Sequence, residues 1–565
     1  MSDDAQRGER VTVGEIAARF LERCGVRAAF GVISIHNMPI LDAFGRRASA
    51  AAAAARPAPI RFVPARSEPG AVNMADAYAR VSGGIGVAVT STGTAAGNAC
   101  GAMVEALTAG TPVLHITGQI EVPYLDRDLG YIHEAPEQLE MLRAVSKAAY
   151  RVRSAETALG TLREAVRVAL TAPRGPVSVE IPIDIQATEI ALPSSFAPAE
   201  VPVALPAAAE LDALAERLAH AKRPLLWLGG GARHAGEAAR RLLDLGFGVV
   251  TSVQGRGIVP EDDPRSLGAF NLHEPVERFY GTCDAIVVVG SRLRSNETLK
   301  YRLGLPRPLY RVDADPQQQG RCYADELFVC GDSRAALAGL ADRLGGRLHV
   351  DAAFAHDLAA ARDAAEKLVA EGLGPYAALV AELQRAAGRD FVWVRDVTVS
   401  NSTWGNRALR IFGPRDGVHA LGGGIGQGVQ MAIGASLAAG ERRTFCLVGD
   451  GGLQVNIGEL ATLVQERANV TVLLMNDRGY GVIRNIQDAQ YGGRRYYVDL
   501  HTPDFAALAG SIGLPFRRVS DLARLGGALA ETLAARGPAL IELDMAAIGP
   551  FARAFSGPPV RKVEA

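Results

Sequence analysis

Two acidic turns, Gly449-Asp450-Gly451-Gly452 and Asn476-Asp477-Arg478-Gly479, each follow a short apolar run, and 26 residues separate Asp450 from Asp477. Oxygen ligands on two neighbouring loops suit a hard divalent cation that keeps coordination positions for a phosphate. Glycine amides and a helix amino terminus suit the phosphate itself. The flanking runs, Thr444 to Val448 and Val470 to Met475, read as buried strands. A right-handed βαβ crossover would bring their carboxyl ends side by side. Asp450 and Asp477 are therefore expected to meet in one glycine-lined pocket that holds Mg²⁺ and a diphosphate. Between the strands a helix is expected to start near Asn456. Asn456 and Glu459 have capping-box spacing, and Ile457, Leu460, Leu463 and Val464 make an apolar face.

The chain that must position these turns has 565 residues, too many for one core, and three domains of about 150 to 190 residues are the natural expectation. A net charge of -1, from 60 basic and 61 acidic residues, gives no general attraction to nucleic acid or acidic membranes. The expected partner is a small molecule. Six cysteines without a C-x-x-C pair indicate neither a zinc site nor a disulfide framework and read as small buried hydrophobes. The start, MSDDAQRGER, lacks a signal-type apolar core and no run of 18 apolar residues occurs, so a cytoplasmic protein without membrane contact is expected.

Residues 11 to 185 alternate apolar runs with amphipathic segments, as a parallel sheet wrapped by helices requires. Strands are expected at Arg27 to Val32, Ile60 to Pro64, Gly86 to Ser91, Pro112 to Thr117 and Val177 to Ile181. The alanine run at 49 to 55 reads as a surface insertion. Arg66-Ser67-Glu68-Pro69-Gly70 opens a helix with Val72, Ala75, Tyr78 and Ala79 on its apolar face; taken alone, Glu68 complements the helix dipole. His36, at the first strand-to-helix turn, is open to two readings: a group that contacts substrate or shuttles a proton, or a capping or exposed histidine. Residues 192 to 209 read as a linker. A central domain over 205 to 345 follows, with strands Pro224 to Leu228 and Ala285 to Val289; its glycines lack the G-x-G-x-x-G spacing, so NAD is not expected. A third domain, 375 to 550, has a strand at Phe391 to Val397 entering Ser400-Asn401-Ser402-Thr403, which are diphosphate donors or a helix cap. The glycine-rich Leu421 to Gly428, where backbone can approach a planar ring, leads into a small-residue helix. The tail, 551 to 565, is either a lid or an unstructured end.

At Gly449-Asp450-Gly451 followed, after residues 452 to 475, by Asn476-Asp477, the chain resembles the thiamine diphosphate (ThDP) enzymes, in particular their acetolactate synthase-like and benzoylformate decarboxylase-like branch. The resemblance covers nearly the whole chain and implies a three-domain α/β fold: pyrimidine-binding, Rossmann-like central and diphosphate-binding domains, each a mainly parallel sheet flanked by helices. It implies that Asp450 and Asp477 ligate Mg²⁺ with the Gly479 carbonyl, and that Asn401, Ser402, Gly451, Gly452 and Tyr480 hold the cofactor. Asp477 departs from the usual Asn; the added carboxylate tightens the hold on the cation and repels the diphosphate, and Arg478 offsets part of that charge. Glu68, followed by Gly70-Ala71 and Tyr78-Ala79-Arg80, matches the glutamate that bonds N1′ of the aminopyrimidine and promotes its imino tautomer. Gly423 matches the carbonyl donor to the 4′-amino group, and Ile425 the wedge beneath the cofactor. Gln119, in His115-Ile116-Thr117-Gly118-Gln119, is implied to line the site; Thr92-Gly93 and Ile132-His133-Glu134 replace the family's Pro-Gly and Phe-Gln. The run Arg292 to Thr298 does not copy the flavin-contacting run of FAD-containing relatives, so FAD is left open but not favoured.

The implied reaction is decarboxylation of a 2-oxo acid followed by addition to a second carbonyl, as in acetolactate synthases. The alternatives are simple decarboxylation with His36 and His133 supplying protons, C-C bond cleavage, or a non-catalytic regulatory subunit of the same fold. The family's sites combine residues of two subunits, which implies a homodimer or homotetramer.

Overall fold

The computed structural model describes residues 9–557. Its strands form three mainly parallel sheets and one small antiparallel pair. In chain order the first group is β1 (Arg10–Thr12), β2 (Ala28–Gly31), β3 (Arg61–Pro64), β4 (Gly86–Thr90), β5 (Val113–Gln119), β6 (Ala148–Arg151), β7 (Val177–Pro182) and β8 (Glu189–Ala191). The sheet order is β3-β2-β4-β5-β7-β6, while β1 and β8 pair antiparallel. The central sheet joins β9 (Pro224–Leu228), β10 (Gly248–Thr251), β11 (Ala285–Val289), β12 (Leu309–Asp313) and β13 (Leu327–Cys330) in the order β10-β9-β11-β12-β13. The third sheet holds β14 (Phe391–Arg395), β15 (Gly417–His419), β16 (Arg443–Gly449), β17 (Val470–Asn476), β18 (Phe516–Val519) and β19 (Ala539–Asp544) in the order β15-β14-β16-β17-β19-β18.

The sequence explains these sheets. Strands buried on both faces read as unbroken apolar runs, as Ala285-Ile286-Val287-Val288-Val289 does. Alternate residues still part to opposite faces. Val287 and Val289 join one core with Leu226 and Leu228, and Ile286 and Val288 join another with Leu225 and Trp227. By contact the chain divides into two units. Among the described residues one contains 9–202 with 420–440 and 456–468; the other contains 203–419, 441–455 and 469–557. In the first unit, helix Gly428–Ala439 crosses helix Glu68–Ser82 so closely that a Cβ on Gly434 would stand 2.0 Å from the Met74 carbonyl oxygen. Glycine and alanine make that crossing possible.

Several expectations are corrected. The alanine run lies on the surface as expected, exposed apart from Ala51, but it is ordered structure: Ser49 to Ala53 complete helix Met38–Ala53, alanine being the strongest helix former. The Asn456–Glu459 capping box does not form. A helix Asp450–Val455 follows β16 directly, and a second, Glu459–Gln465, begins after Gly458. The Asn456 amide donates to the Gly426 carbonyl at 3.0 Å, and the Glu459 carboxylate serves Arg66 and Ser67. Tertiary partners replaced local ones. Cys322 is exposed, unlike the buried Cys283 and Cys446. Strands β15 and β18 went unforeseen, since a strand bonded on one side needs little apolar sequence, and β18 carries Arg517 and Arg518. Of the tail, Phe551 packs on Tyr376 with ring centroids 4.4 Å apart, while 558–565 and the start at 1–8 lie outside the described residues. Among the described residues no helix is long and apolar enough to cross a membrane.

Candidate active site

In the second unit, β16 and β17 run parallel in register, Gly449 beside Met475, so their carboxyl ends coincide. Asp450 opens its helix at that end, and the Asp477 amide donates to Asp450 Oδ1 at 3.2 Å. Asp450 is fully buried, and its Oδ2 has no hydrogen-bond partner. Burial pushes the Asp450 carboxyl above its ordinary range, and burial with the neighbouring Asp450 charge does the same to Asp477. Two carboxylates raised in this way are short of a cation. The expected meeting of Asp450 with Asp477 is thus realised.

Gly479 and Tyr480 close the same turn. A Cβ on Gly451 would lie 2.8 Å from the Tyr480 ring and 3.3 Å from the Gly479 carbonyl oxygen, so only glycine leaves that approach open. The cation beside Asp477 is Arg484, 3.9 Å from its Oδ2, whereas Arg478 turns toward Asp544 at 3.9 Å. The expectation for Arg478 is corrected accordingly. Arg484 could have been found from its place one turn into the helix that follows Tyr480. The donor set of an orphaned carboxylate oxygen, a second carboxylate and a backbone carbonyl fits Mg²⁺, which is bound by one or two carboxylates plus phosphate and water. Among the described residues no group of three or more His, Cys, Asp or Glu forms an all-protein cage.

Asn401 and Ser402 lie on one wide helical turn, Asn401–Gly405, in which the Asn406 amide donates to the Asn401 carbonyl at 3.1 Å. This turn is close to the strand end, because Thr398 Oγ1 stands 3.0 Å from the point a Cβ on Gly449 would occupy. Asn401 Oδ1 and Ser400 Oγ are buried without partners, and Asn401 Nδ2 lies 3.4 Å from His419 Nδ1. These unmatched groups suit a polar ligand. His419 was not singled out from sequence, and only the fold shows that it meets Asn401. Gly452 is buried in the first turn after Asp450.

In the first unit, Glu68 begins helix Glu68–Ser82, whose N-cap Ser67 accepts from the Gly70 amide at 3.1 Å. Asn98, on helix Thr94–Ala109, donates to Glu68 Oε2 at 3.1 Å. The glycine-rich loop is fixed by Glu105 of the same helix, which accepts from the Leu421 amide at 2.7 Å and the Gly422 amide at 2.5 Å. Glu105 is itself held by buried Arg80 at 2.9 Å, which also pairs with Asp76. Gly423 follows with φ +85°, and Ile425 is 37% exposed, free to meet a ligand.

His36 and His133 come together, ring centroids 5.3 Å apart and edge to face. The His36 backbone is clamped: Gln186 donates to its carbonyl at 2.7 Å, and a Cβ on Gly118 would stand 2.3 Å from that same oxygen. Burial, and next the nearby His133, lower the His36 pKa, with Glu121 opposing. His133 is exposed at φ +68° on a loop laid directly on Gly93, where a Cβ would fall 2.0 Å from its carbonyl oxygen. Gly93 in turn donates to Gln138 at 2.6 Å, and Gln138 to Glu180 at 2.9 Å. Gln119 is 1% exposed; its Oε1 accepts from Thr92 at 3.0 Å, so its carbonyl end belongs to this network.

The family models for thiamine pyrophosphate enzymes match the chain three times: the N-terminal TPP binding domain over residues 11–141, the central domain over 211–340 and the C-terminal TPP binding domain over 398–543. A probable 2-ketoarginine decarboxylase of Pseudomonas aeruginosa is 32% identical over 545 residues, 95% of each chain. A probable acetolactate synthase 2, chloroplastic, of Oryza sativa subsp. japonica is 30% identical over 558 residues, 94% of this chain and 82% of the relative. The chloroplastic acetolactate synthase of Arabidopsis thaliana is 27% identical over 555 residues, 94% of this chain and 80% of its own. Matched by all three domain models in order, and by such relatives over nearly its whole length, the chain belongs to the thiamine pyrophosphate enzymes and is a ThDP-dependent enzyme of the acetolactate synthase-like family.

Proposed function

We propose that this enzyme decarboxylates a 2-oxo acid with ThDP and Mg²⁺ and releases an aldehyde, the proton coming from the His36–His133 pair. What carries the reading is the pair itself, two imidazoles 5.3 Å apart with His36 held by its backbone. Burial and the neighbouring His133 hold the His36 imidazole neutral, so it would act as a relay that takes a proton at one ring nitrogen as it gives one from the other. Asp450, Asp477 and the Gly479 carbonyl would hold Mg²⁺, and Asn401, Ser402, Gly451, Gly452 and Tyr480 the diphosphate side. Glu68, Gly423 and Ile425 would meet the aminopyrimidine, and Gln119 borders the substrate side. The bound cofactor supplies an electron sink for the bond to CO₂. Glu68 holds and moves the proton at N1′, and Asn98 orients its carboxylate.

The substrate proposed is a 2-oxo acid with a cationic tail. The loop that carries His133 also carries Glu121, with a buried oxygen lacking a partner, and the stacked Tyr124 and Tyr131, ring centroids 5.0 Å apart. A carboxylate beside aromatic faces receives a guanidinium well, and one relative is named for 2-ketoarginine. Carboligation to a second carbonyl, as in acetolactate synthase, is the second reading, supported by the similarity to those enzymes.

Functional parts are proposed at 11–185, 205–345 and 375–550, in a dimer or tetramer where one subunit's Glu68 serves its partner's metal turn. All six cysteines are unpaired, which suits the reducing cytoplasm. The test is product analysis with ThDP, Mg²⁺ and a panel of 2-oxo acids. Aldehyde and CO₂ from the guanidino acid in preference to pyruvate bear the reading out. Acetolactate from pyruvate replaces it with the second reading.

A further inference from the structure

Glu459 is 1% exposed, and nothing in the proposed chemistry uses it. Its Oε1 accepts from the Arg66 amide at 3.0 Å and from Ser67 Oγ at 3.0 Å, while Thr462 Oγ1 donates to its Oε2 at 2.6 Å. Ser67 Oγ accepts from the Gly70 amide at 3.1 Å, so a chain of hydrogen bonds runs from Glu459 through Ser67 to Gly70. Glu68 lies inside that chain. A Cβ on Gly70 would fall 2.2 Å from Glu459 Oε1, so the carboxylate sits flush against the helix's first turn. Arg66 to Gln465 at 2.6 Å and Arg61 to Glu466 at 2.5 Å stitch the same segments together on either side.

We propose that Glu459 is a positioning residue for Glu68. It sets the backbone of 66–70, and with it the direction of the Glu68 carboxylate, from the segment that follows the Gly449-Asp450-Gly451 turn in sequence. The role is geometric: two donors on one turn need an acceptor at one place, and a shift of about 1 Å in a reacting group can cost about 100-fold in rate. The inference rests on the reading of Glu68 as the group that acts on the aminopyrimidine.

Two substitutions separate reach from charge. Glu459→Gln keeps the length and an accepting oxygen; Glu459→Asp keeps the charge but is one methylene short. Two readouts apply: amide hydrogen exchange at 66–70 in the cofactor-free protein, and exchange of the thiazolium C2 hydrogen of bound ThDP by quenched NMR. Expected for Glu459→Gln are parent-like protection and C2 exchange within about threefold. Glu459→Asp is expected to lose protection at Arg66 and Gly70 and to slow C2 exchange and kcat by about 10- to 100-fold, with KM changed less than about threefold. Parent-like behaviour of Glu459→Asp, or impairment of Gln with retention by Asp, overturns the proposal. Should Glu459→Asp fail to fold, Ser67→Ala breaks the same chain and is expected to slow C2 exchange about fivefold; no change overturns it equally. Glu68→Gln runs in parallel. If it leaves C2 exchange intact, the reading of Glu68 falls, while the amide protection still decides the positioning.

Discussion

The Asp477 amide donates to Asp450 Oδ1 at 3.2 Å, and the other Asp450 oxygen is buried with no partner. A sealed carboxylate oxygen without a donor is costly unless a cation takes it. Calorimetric titration with Mg²⁺ in the presence of ThDP is expected to show binding weakened on the order of 100-fold in Asp450→Asn, which loses the charge at the sealed oxygen, and much less in Asp477→Asn, which restores the residue usual at that turn. Chelation by EDTA should release the cofactor together with the metal.

Glu105 joins Arg80 to the glycine-rich loop through the amides of Leu421 and Gly422. Glu105→Ala takes one of two carboxylates from buried Arg80, which keeps Asp76, and leaves two amides without their acceptor, a loss of about 3 kcal/mol. Urea unfolding should register that loss, with Glu105→Gln milder because it keeps one accepting oxygen.

Gly93 combines φ +60° with a Cβ position 2.0 Å from the His133 carbonyl oxygen. In Gly93→Ala the His133 loop must lift, since the obstruction is backbone and not a flexible side-chain end. Aldehyde formation is expected to fall by about 100-fold, the scale of a lost general acid. ThDP affinity should stay at the parent value. A coupled aldehyde assay and cofactor titration check both.

His115 is fully buried between Thr90 Oγ1 at 2.8 Å and Ser178 Oγ at 3.2 Å, and burial lowers its pKa to about 4. The unfolded chain takes up a proton near the ordinary histidine value of about 6.5, while the folded chain does not until near 4. Its stabilising contribution is therefore whole above pH 6.5 and is lost as pH falls from there toward 4, by roughly 3 kcal/mol. Unfolding curves between about pH 7 and pH 4 should show this slope, and His115→Asn should flatten it.

What the sequence determined by itself is what depends on short range and on residue type. Apolar runs announced strands such as β9 and β11 at their observed limits, because burial on both faces leaves no room for polar residues. The spacing of Asp450 and Asp477 foretold their meeting, because a parallel βαβ unit admits one handedness. Tertiary structure alone decided the partners of long polar side chains. Asn456 and Glu459 have capping-box spacing, yet each bonds a segment distant in sequence, at Gly426 and at Arg66 to Ser67. Arg484, and not Arg478, stands beside Asp477, and 96 positions lie between His36 and His133 although their rings meet. A hydrogen bond or ion pair is worth about as much to a distant partner as to a near one. Local spacing therefore proposes such partners, and the packing of sheets and helices chooses among them.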